Sequence, residues 1–266
     1  MNEAIFLALA ATLGTWGLTA LGAATVVFFS SPNRKMMNLA LGFAAGVMIA
    51  ASFWSLLAPA IERAEAYSSI PPYLVVTVGF LFGAIFMWAS DKIVTEAQRK
   101  ANYELAVLGN SQSRIMMLML SITLHNIPEG LAVGVAFGAL GGTASAESIM
   151  GALTIAIGIG LQNFPEGAAV SLPLRREGCS RKRSFFLGQA SGMVEPIAGV
   201  LGAALVVYVE AILPLALSFA AGAMVLVAVH ELIPECRQNM CDMPYLATMG
   251  IVFGFAVMML LDVMLG

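Results

Sequence analysis

The sequence predicts an all-α membrane protein of eight transmembrane helices with both termini outside the cytoplasm. Three observations predict it. Of the 266 residues, 59% are hydrophobic and only 11% are charged, against about 25% charged in a soluble domain. Eight apolar runs are each long enough to cross a bilayer, which takes about 20 residues. Twelve of the thirteen Lys and Arg residues fall on one set of alternate loops, and basic loops mark the cytoplasmic side. A single bundle, residues 1–266, is the simplest domain organisation.

The first run, 4–29, follows Met1-Asn2-Glu3. It has no basic leader and exceeds the roughly 7–15 apolar residues of a signal sequence, so it reads as a retained span. Ser31-Pro32-Asn33-Arg34-Lys35 turns the chain into the second run, 38–61. Residues from Glu62 to Pro72 lead to the third, 72–93. The polar stretch 94–113 reads as a cytoplasmic loop before the fourth run, 114–140. Gly141-Gly142-Thr143 makes a short turn into the fifth, 148–174. The basic segment Arg175 to Arg183 precedes the sixth, 184–208. A turn near Glu210 and Pro214 starts the seventh, 211–235. Cys236 to Pro244 leads into the last, 244–265. Arg34, Lys35, Lys92, Arg99, Lys100, Arg114, Arg175, Arg176, Arg181, Lys182, Arg183 and Arg237 all lie on one side, and Arg63 alone lies on the other. A missed span would scramble that partition.

The three cysteines, Cys179, Cys236 and Cys241, lie in or beside polar loops and form no CxxC pair. A disulfide framework or a zinc-thiolate site is therefore not expected. The basic 175–183 segment is explained by topology and by attraction to anionic lipid, with no call for nucleic acid. Small-xxx-small spacings (Gly42/Gly46, Gly79/Gly83, Gly134/Gly138, Gly188/Gly192, Gly250/Gly254) let helices approach closely. They read as packing, and they permit a homodimer.

Two hexapeptides are near-copies of each other. The fourth run holds His125-Asn126-Ile127-Pro128-Glu129-Gly130 and the fifth holds Gln162-Asn163-Phe164-Pro165-Glu166-Gly167. A charge at mid-bilayer costs about 2.5–3.5 kcal/mol on insertion scales, so two such acids point to a buried polar site. Residues four apart share a helix face, which pairs His125 with Glu129 and Gln162 with Glu166. Antiparallel neighbouring spans would bring both faces to one depth, the geometry of a repeat interface in a transporter. Pro128 and Pro165 each free one backbone carbonyl, of Leu124 and Leu161. Gly130 and Gly167 are expected to keep space clear beside the carboxylates.

The sixth run adds Glu195-Pro196, and the seventh adds His230-Glu231. The chain has only two histidines, and both lie in spans that carry acids. His, Glu, Gln and Asn without Cys form a nitrogen and oxygen cage. Such a cage suits a first-row divalent metal, with zinc or ferrous iron foremost. Glu129, Glu166 and Glu195 bring about three negative charges, which two divalent ions, or one ion plus protons, would balance. Met48 on the second span reads as core. Asp91 and Asp262 read as solvated span ends.

On these motifs the chain resembles the ZIP (Zrt/Irt-like protein) divalent metal transporter family. LHNIPEGLAVGVAFG and LQNFPEGAAVSLPLR look most like its GufA-like branch. The resemblance spans essentially the whole chain. It implies a 3+2+3 arrangement in which spans 1–3 and 6–8 are inverted repeats around spans 4 and 5. It implies transport of divalent metal, zinc first with iron, manganese or cadmium also admitted, into the cytoplasm of a bacterial cell across its inner membrane. Zinc is then cargo and no enzyme activity is expected. The resemblance carries the metal site onto His125, Asn126, Glu129, Gln162, Asn163, Glu166 and Glu195. It adds Met48, because the family's bacterial two-metal site takes a methionine from the second span, and it matches His230 and Glu231 to a secondary metal position toward the cytoplasmic exit.

The chain departs from the family pattern in three places. Residues 94–113 contain no histidine, whereas many members carry a histidine-rich loop there. Zinc-selective relatives often have His where this chain has Gln162, which favours broad divalent selectivity. Some two-metal relatives have Asp where this chain has Asn163, which removes one charge. The rival readings are an intramembrane metal-dependent hydrolase, which lacks an HExxH pairing, and a passive metal channel with the same ligands.

Overall fold

A computed structural model describes residues 3–29, 33–67, 70–106, 112–140, 146–176, 178–237 and 245–265. Among these residues the only regular structure is helical. Helix α1 (Glu3–Ala24) ends in a 3-10 turn, Thr25–Val27. Asn33 caps α2 (Arg34–Ala51), its side-chain oxygen accepting from the backbone N–H of Lys35 at 3.1 Å. A stretch of π-helix, Ser52–Leu57, joins α2 to α3 (Ala58–Tyr67). Ser52 Oγ donates back to the Met48 carbonyl at 2.7 Å where that wider turn begins. Helices α4 (Pro72–Ala106), α5 (Gln112–Gly138) and α6 (Ala146–Arg176) follow. Ser180 caps α7 (Arg181–Ala190) through the N–H of Arg183. The chain then passes through the 3-10 turn Ser191–Met193 into α8 (Val194–Tyr208). A turn at Glu210–Ile212 leads to α9 (Leu213–Val227), the π-helical segment Ala228–Leu232, α10 (Ile233–Cys236) and finally α11 (Leu246–Leu265).

Seven helical rods among the described residues are long and apolar enough to cross a membrane: Glu3–Val27, Arg34–Ala66, Pro72–Ala97, Ser148–Arg175, Arg181–Tyr208, Leu213–Cys236 and Leu246–Leu265. Helix α5, 27 residues long, occupies the remaining predicted run. Several rods outlast their predicted runs, and the rod of α2 and α3 extends from Arg34 to Tyr67. α4 continues to Ala106 because residues 94–106 contain neither Gly nor Pro, and α7 begins at Arg181 because Ser180 caps it there. The predicted turns at Ser31-Pro32 and Gly141-Gly142-Thr143, and Cys241, lie outside the described residues.

Rods pair selectively. α2 packs along α11, α4 along α9, α1 along α6, and α5 along α8, with lighter contact between α5 and α6. Glycines set the closest approaches. A Cβ on Gly134 would stand 2.1 Å from the Gly199 carbonyl oxygen, far inside contact distance. Gly130 and Gly138 meet Glu195 and Ala203 in the same register, so the α5–α8 seam is backbone against backbone. The expectation that Gly130 and Gly167 clear space beside the carboxylates is corrected here. A Cβ on Gly130 would strike the Glu195 backbone at 2.5 Å, and one on Gly167 the Thr19 carbonyl at 2.1 Å. These glycines serve helix crossings. Gly42, Gly46, Gly250 and Gly254 are likewise taken up between α2 and α11, and Gly79 and Gly83 against α9. Those faces are therefore spent inside the chain.

Candidate metal site

The α5–α8 and α1–α6 seams bring the two hexapeptides and Glu195 together. Asn126, Glu129, Gln162, Asn163 and Glu195 are all buried, with Glu129, Gln162 and Glu195 at 0% exposure. Such burial demands hydrogen-bond partners, and the partners are informative.

Each of the three amides spends its NH2 group on an acceptor. Asn126 Nδ2 donates to the Ser191 carbonyl at 2.8 Å, Gln162 Nε2 donates to Glu129 Oε1 at 2.7 Å, and Asn163 Nδ2 donates to Glu195 Oε2 at 2.8 Å. Their oxygens are left over. Asn126 Oδ1, Gln162 Oε1, Asn163 Oδ1, Glu129 Oε2 and Glu166 Oε1 are buried side-chain oxygens with no hydrogen-bond partner among the described residues. All come from the two hexapeptides. An isolated orphan oxygen is a defect costing about 1–3 kcal/mol. Five on two adjoining helices form a set of acceptors with no donor, and oxygen acceptors of this kind can coordinate a cation.

His125 is close to the carboxylate of a different rod. Its Nε2 lies 2.6 Å from Glu231 Oε1 in the π-helical segment after α9. Exposure rises along the line from His125 at 11% to Glu231 at 26% and His230 at 65%. His230 Nε2 lies 3.8 Å from Asp91 Oδ2 on α4. The structure thus shows two pairs, His125 with Glu231 and His230 with Asp91, at sequence neighbours on the seventh rod near the ends that carry Lys92 and Arg237. Met48 is buried on α2, in the apolar cluster with Val47, Ile159 and Met258.

Asp91 and Asp262, expected to be solvated, both have side-chain partners. Asp262 Oδ1 accepts from Ser55 Oγ at 2.6 Å, linking α11 to the π-helical segment after α2. That pair borders a cavity of about 200 Å³, lined also by Trp54, Pro59 and Arg63. The cavity lies toward the Arg63 end of the rods, away from the hexapeptides.

Sequence reasoning missed α1. Thr12, Thr15 and Thr19 are all buried. Thr15 Oγ1 donates to Glu195 Oε2 at 2.6 Å, and Thr19 Oγ1 lies 3.4 Å from Oε1. The signal was present, since hydroxyls at 12, 15 and 19 make a polar stripe with helical spacing on an otherwise apolar span. Among the described residues no three His, Cys, Asp or Glu side chains close on a common point. His125 and Glu129 are instead paired with Glu231 and Gln162.

Comparison with known proteins shows the family. A family profile described as ZIP Zinc transporter matches residues 96–262. The chain is 42% identical to the zinc transporter ZIP11 of Xenopus tropicalis, with 96% of each chain covered. It is 41% identical to human ZIP11, covering 100% of this chain and 99% of that one. It is 35% identical to the zinc transporter GufA of Myxococcus xanthus, covering 97% and 98%.

Proposed function

Because this chain belongs to the ZIP zinc transporter family, we propose that it carries zinc across a membrane into the cytoplasm through the buried group between α5 and α6. The observation that carries this reading is the set of five orphan oxygens from the two hexapeptides. His125, Glu129, Gln162 and Glu166 are the central ligands, with the Asn126 and Asn163 oxygens beside them. Imidazole nitrogen and carboxylate oxygen are ordinary zinc donors. The amides are weak neutral donors, so other divalent ions are admitted.

The eight-span, 3+2+3 reading draws support from the pairing pattern. Exchange the first rod with the sixth, the second with the seventh, the third with the eighth and α5 with α6. The pairs α1–α6 and α8–α5 then interchange, as do α2–α11 and α9–α4. The two π-helical segments fall in the second and seventh rods, which correspond under the same exchange. The basic loops support a cytoplasmic Arg237 end, with both termini outside. Ions approach through the cavity by Ser55, Asp262 and Arg63. They leave along His125, Glu231 and His230, where exposure rises toward the basic end. The membrane is the plasma membrane, and Met48 of α2 is a further, sulfur ligand.

The test is zinc uptake into proteoliposomes. Wild-type protein should accumulate zinc with saturation, and Glu166→Gln, which keeps the shape and removes the charge, should lose uptake while remaining folded. Undiminished flux in Glu166→Gln would remove the site assignment.

A further inference from the structure

The three buried amides share a problem that the surrounding residues solve. An amide side chain can present either its oxygen or its NH2 group to a cation, and only the oxygen binds one. The orientation must therefore be imposed by an acceptor that claims the NH2 group. For Asn126 the acceptor is the Ser191 carbonyl, on the 3-10 turn before α8. For Gln162 it is Glu129. For Asn163 the nearer acceptor is Glu195 Oε2 at 2.8 Å, with the Thr15 backbone carbonyl at 3.3 Å as a second.

Glu195 is itself held. Its Oε2 accepts from Thr15 Oγ1 at 2.6 Å as well as from Asn163 at 2.8 Å. Its Oε1 faces Thr19 at 3.4 Å and the backbone at Gly192, where a Cβ would come within 3.0 Å of it. The Thr15 hydroxyl also lies 3.1 Å from the Thr12 carbonyl. Its single proton goes to the nearer, charged acceptor, since charge-assisted hydrogen bonds are shorter and stronger. The carboxylate thus stands between α1 and α6, with both donors on the oxygen that faces Asn163.

We propose that Thr15 is a positioning residue of the zinc site, acting through Glu195 to turn the Asn163 oxygen toward the ion. The order is Thr15 hydroxyl to Glu195 carboxylate to Asn163 NH2, with Asn163 Oδ1 left as a free acceptor. Donation of the NH2 group to a carboxylate also pushes electron density onto the amide oxygen and makes it a better ligand. The arrangement parallels the carboxylates that orient and polarise metal-bound histidines. Glu195 then lies behind the ligands. This inference rests on the zinc-transport reading above.

The experiment measures zinc binding to purified protein by competition with a chelating dye, and zinc uptake in proteoliposomes, for Thr15→Val, Thr15→Ser, Asn163→Ala and Thr15→Val/Asn163→Ala. Thr15→Val keeps the shape and removes the donor. It should weaken zinc binding about tenfold or more, the usual effect of removing an outer-shell partner, and raise KM more than it lowers kcat. Thr15→Ser should restore both. Against an Asn163→Ala background, Thr15→Val should add no further loss, because the group it positions is gone. If Thr15→Val is not recovered as a monodisperse folded protein, Thr15→Ala takes its place. Wild-type affinity in the valine variant would overturn the proposal, as would an equal loss with and without Asn163, which is the mark of a packing role. Wild-type protein that neither binds nor moves zinc would instead sink the transport reading itself.

Discussion

Gly134→Ala is the sharpest probe of how the fold holds its site. The new Cβ would lie 2.1 Å from the Gly199 carbonyl oxygen and 2.6 Å from its Cα. Ordinary contact begins near 3.4 Å, so α5 and α8 must separate by roughly 1.3 Å. The obstacle is backbone, which cannot swing aside as a side chain can. Overpacking of this kind costs about 1–3 kcal/mol, a loss of several degrees in Tm at about 2–4 °C per kcal/mol for a chain of this size. Gly134 is five residues past Glu129, about 7.5 Å along the helix, so the separation reaches the site. It draws Asn126 and Glu129 away from Ser191 and Glu195. A displacement of about 1 Å at a reacting centre can cost on the order of a hundredfold, so zinc uptake should fall at least tenfold. Gly17→Ala is the control, since a Cβ there meets nothing within 4 Å. It should be neutral or stabilising by up to about 1 kcal/mol. The assay is thermal unfolding in detergent followed by tryptophan fluorescence, paired with uptake in proteoliposomes. A Gly134→Ala protein that melts and transports like wild type would refute the reasoning, and so would a Gly17→Ala protein that is equally damaged.

Three further outcomes are expected. Gln162→His replaces a weak amide oxygen with imidazole, so flux competition should shift toward zinc over manganese, and an unchanged metal series would remove Gln162 from the ligand set. Ser55→Ala breaks the 2.6 Å bond to Asp262 and leaves a half-buried carboxylate short of a donor. It should lower stability by about 1–3 kcal/mol, read as a drop in Tm with no change in metal preference. Zinc at a hundredfold excess over its Kd should stabilise the wild type by about 2.7 kcal/mol, and protons compete with zinc for Glu129 and Glu166. That stabilisation should therefore shrink as pH falls and survive as pH rises to neutrality, whereas a zinc-induced rise in Tm that is flat with pH would argue against carboxylate ligands.

Much of this was legible in the chain. Apolar runs mark helices, and the helices lie on those runs with extensions where caps or helix-forming sequence prolong them, at Arg34, Tyr67, Ala106 and Arg181. The repeated hexapeptides pointed to two polar faces that meet, and Gln162 does bond Glu129 across them, because four-residue spacing keeps a face together. Partner choice was not legible. A period of 3.6 residues shows which face is polar or small but not which helix meets it, so the pairing of α5 with α8 through Gly130, Gly134 and Gly138 appears only in three dimensions. The same gap hid Thr15 and Thr19. A threonine in an apolar helix can satisfy itself on its own backbone, as Thr12 does with the Ala8 carbonyl. Only the arrival of Glu195 from α8 distinguishes the others. The π-helical segments at Ser52–Leu57 and Ala228–Leu232 carry no residue pattern that separates them from ordinary helix. Asp91 and Asp262 looked solvated because their partners, His230 and Ser55, come from other rods.

The most direct measurement is anomalous diffraction at the zinc edge from crystals grown with zinc. A peak between α5 and α6, about 2.0–2.2 Å from His125 nitrogen and from Glu129 and Glu166 oxygens, is the predicted result. Zinc density confined to the rod ends, with the space between the two hexapeptides empty in a zinc-saturated crystal, would contradict it.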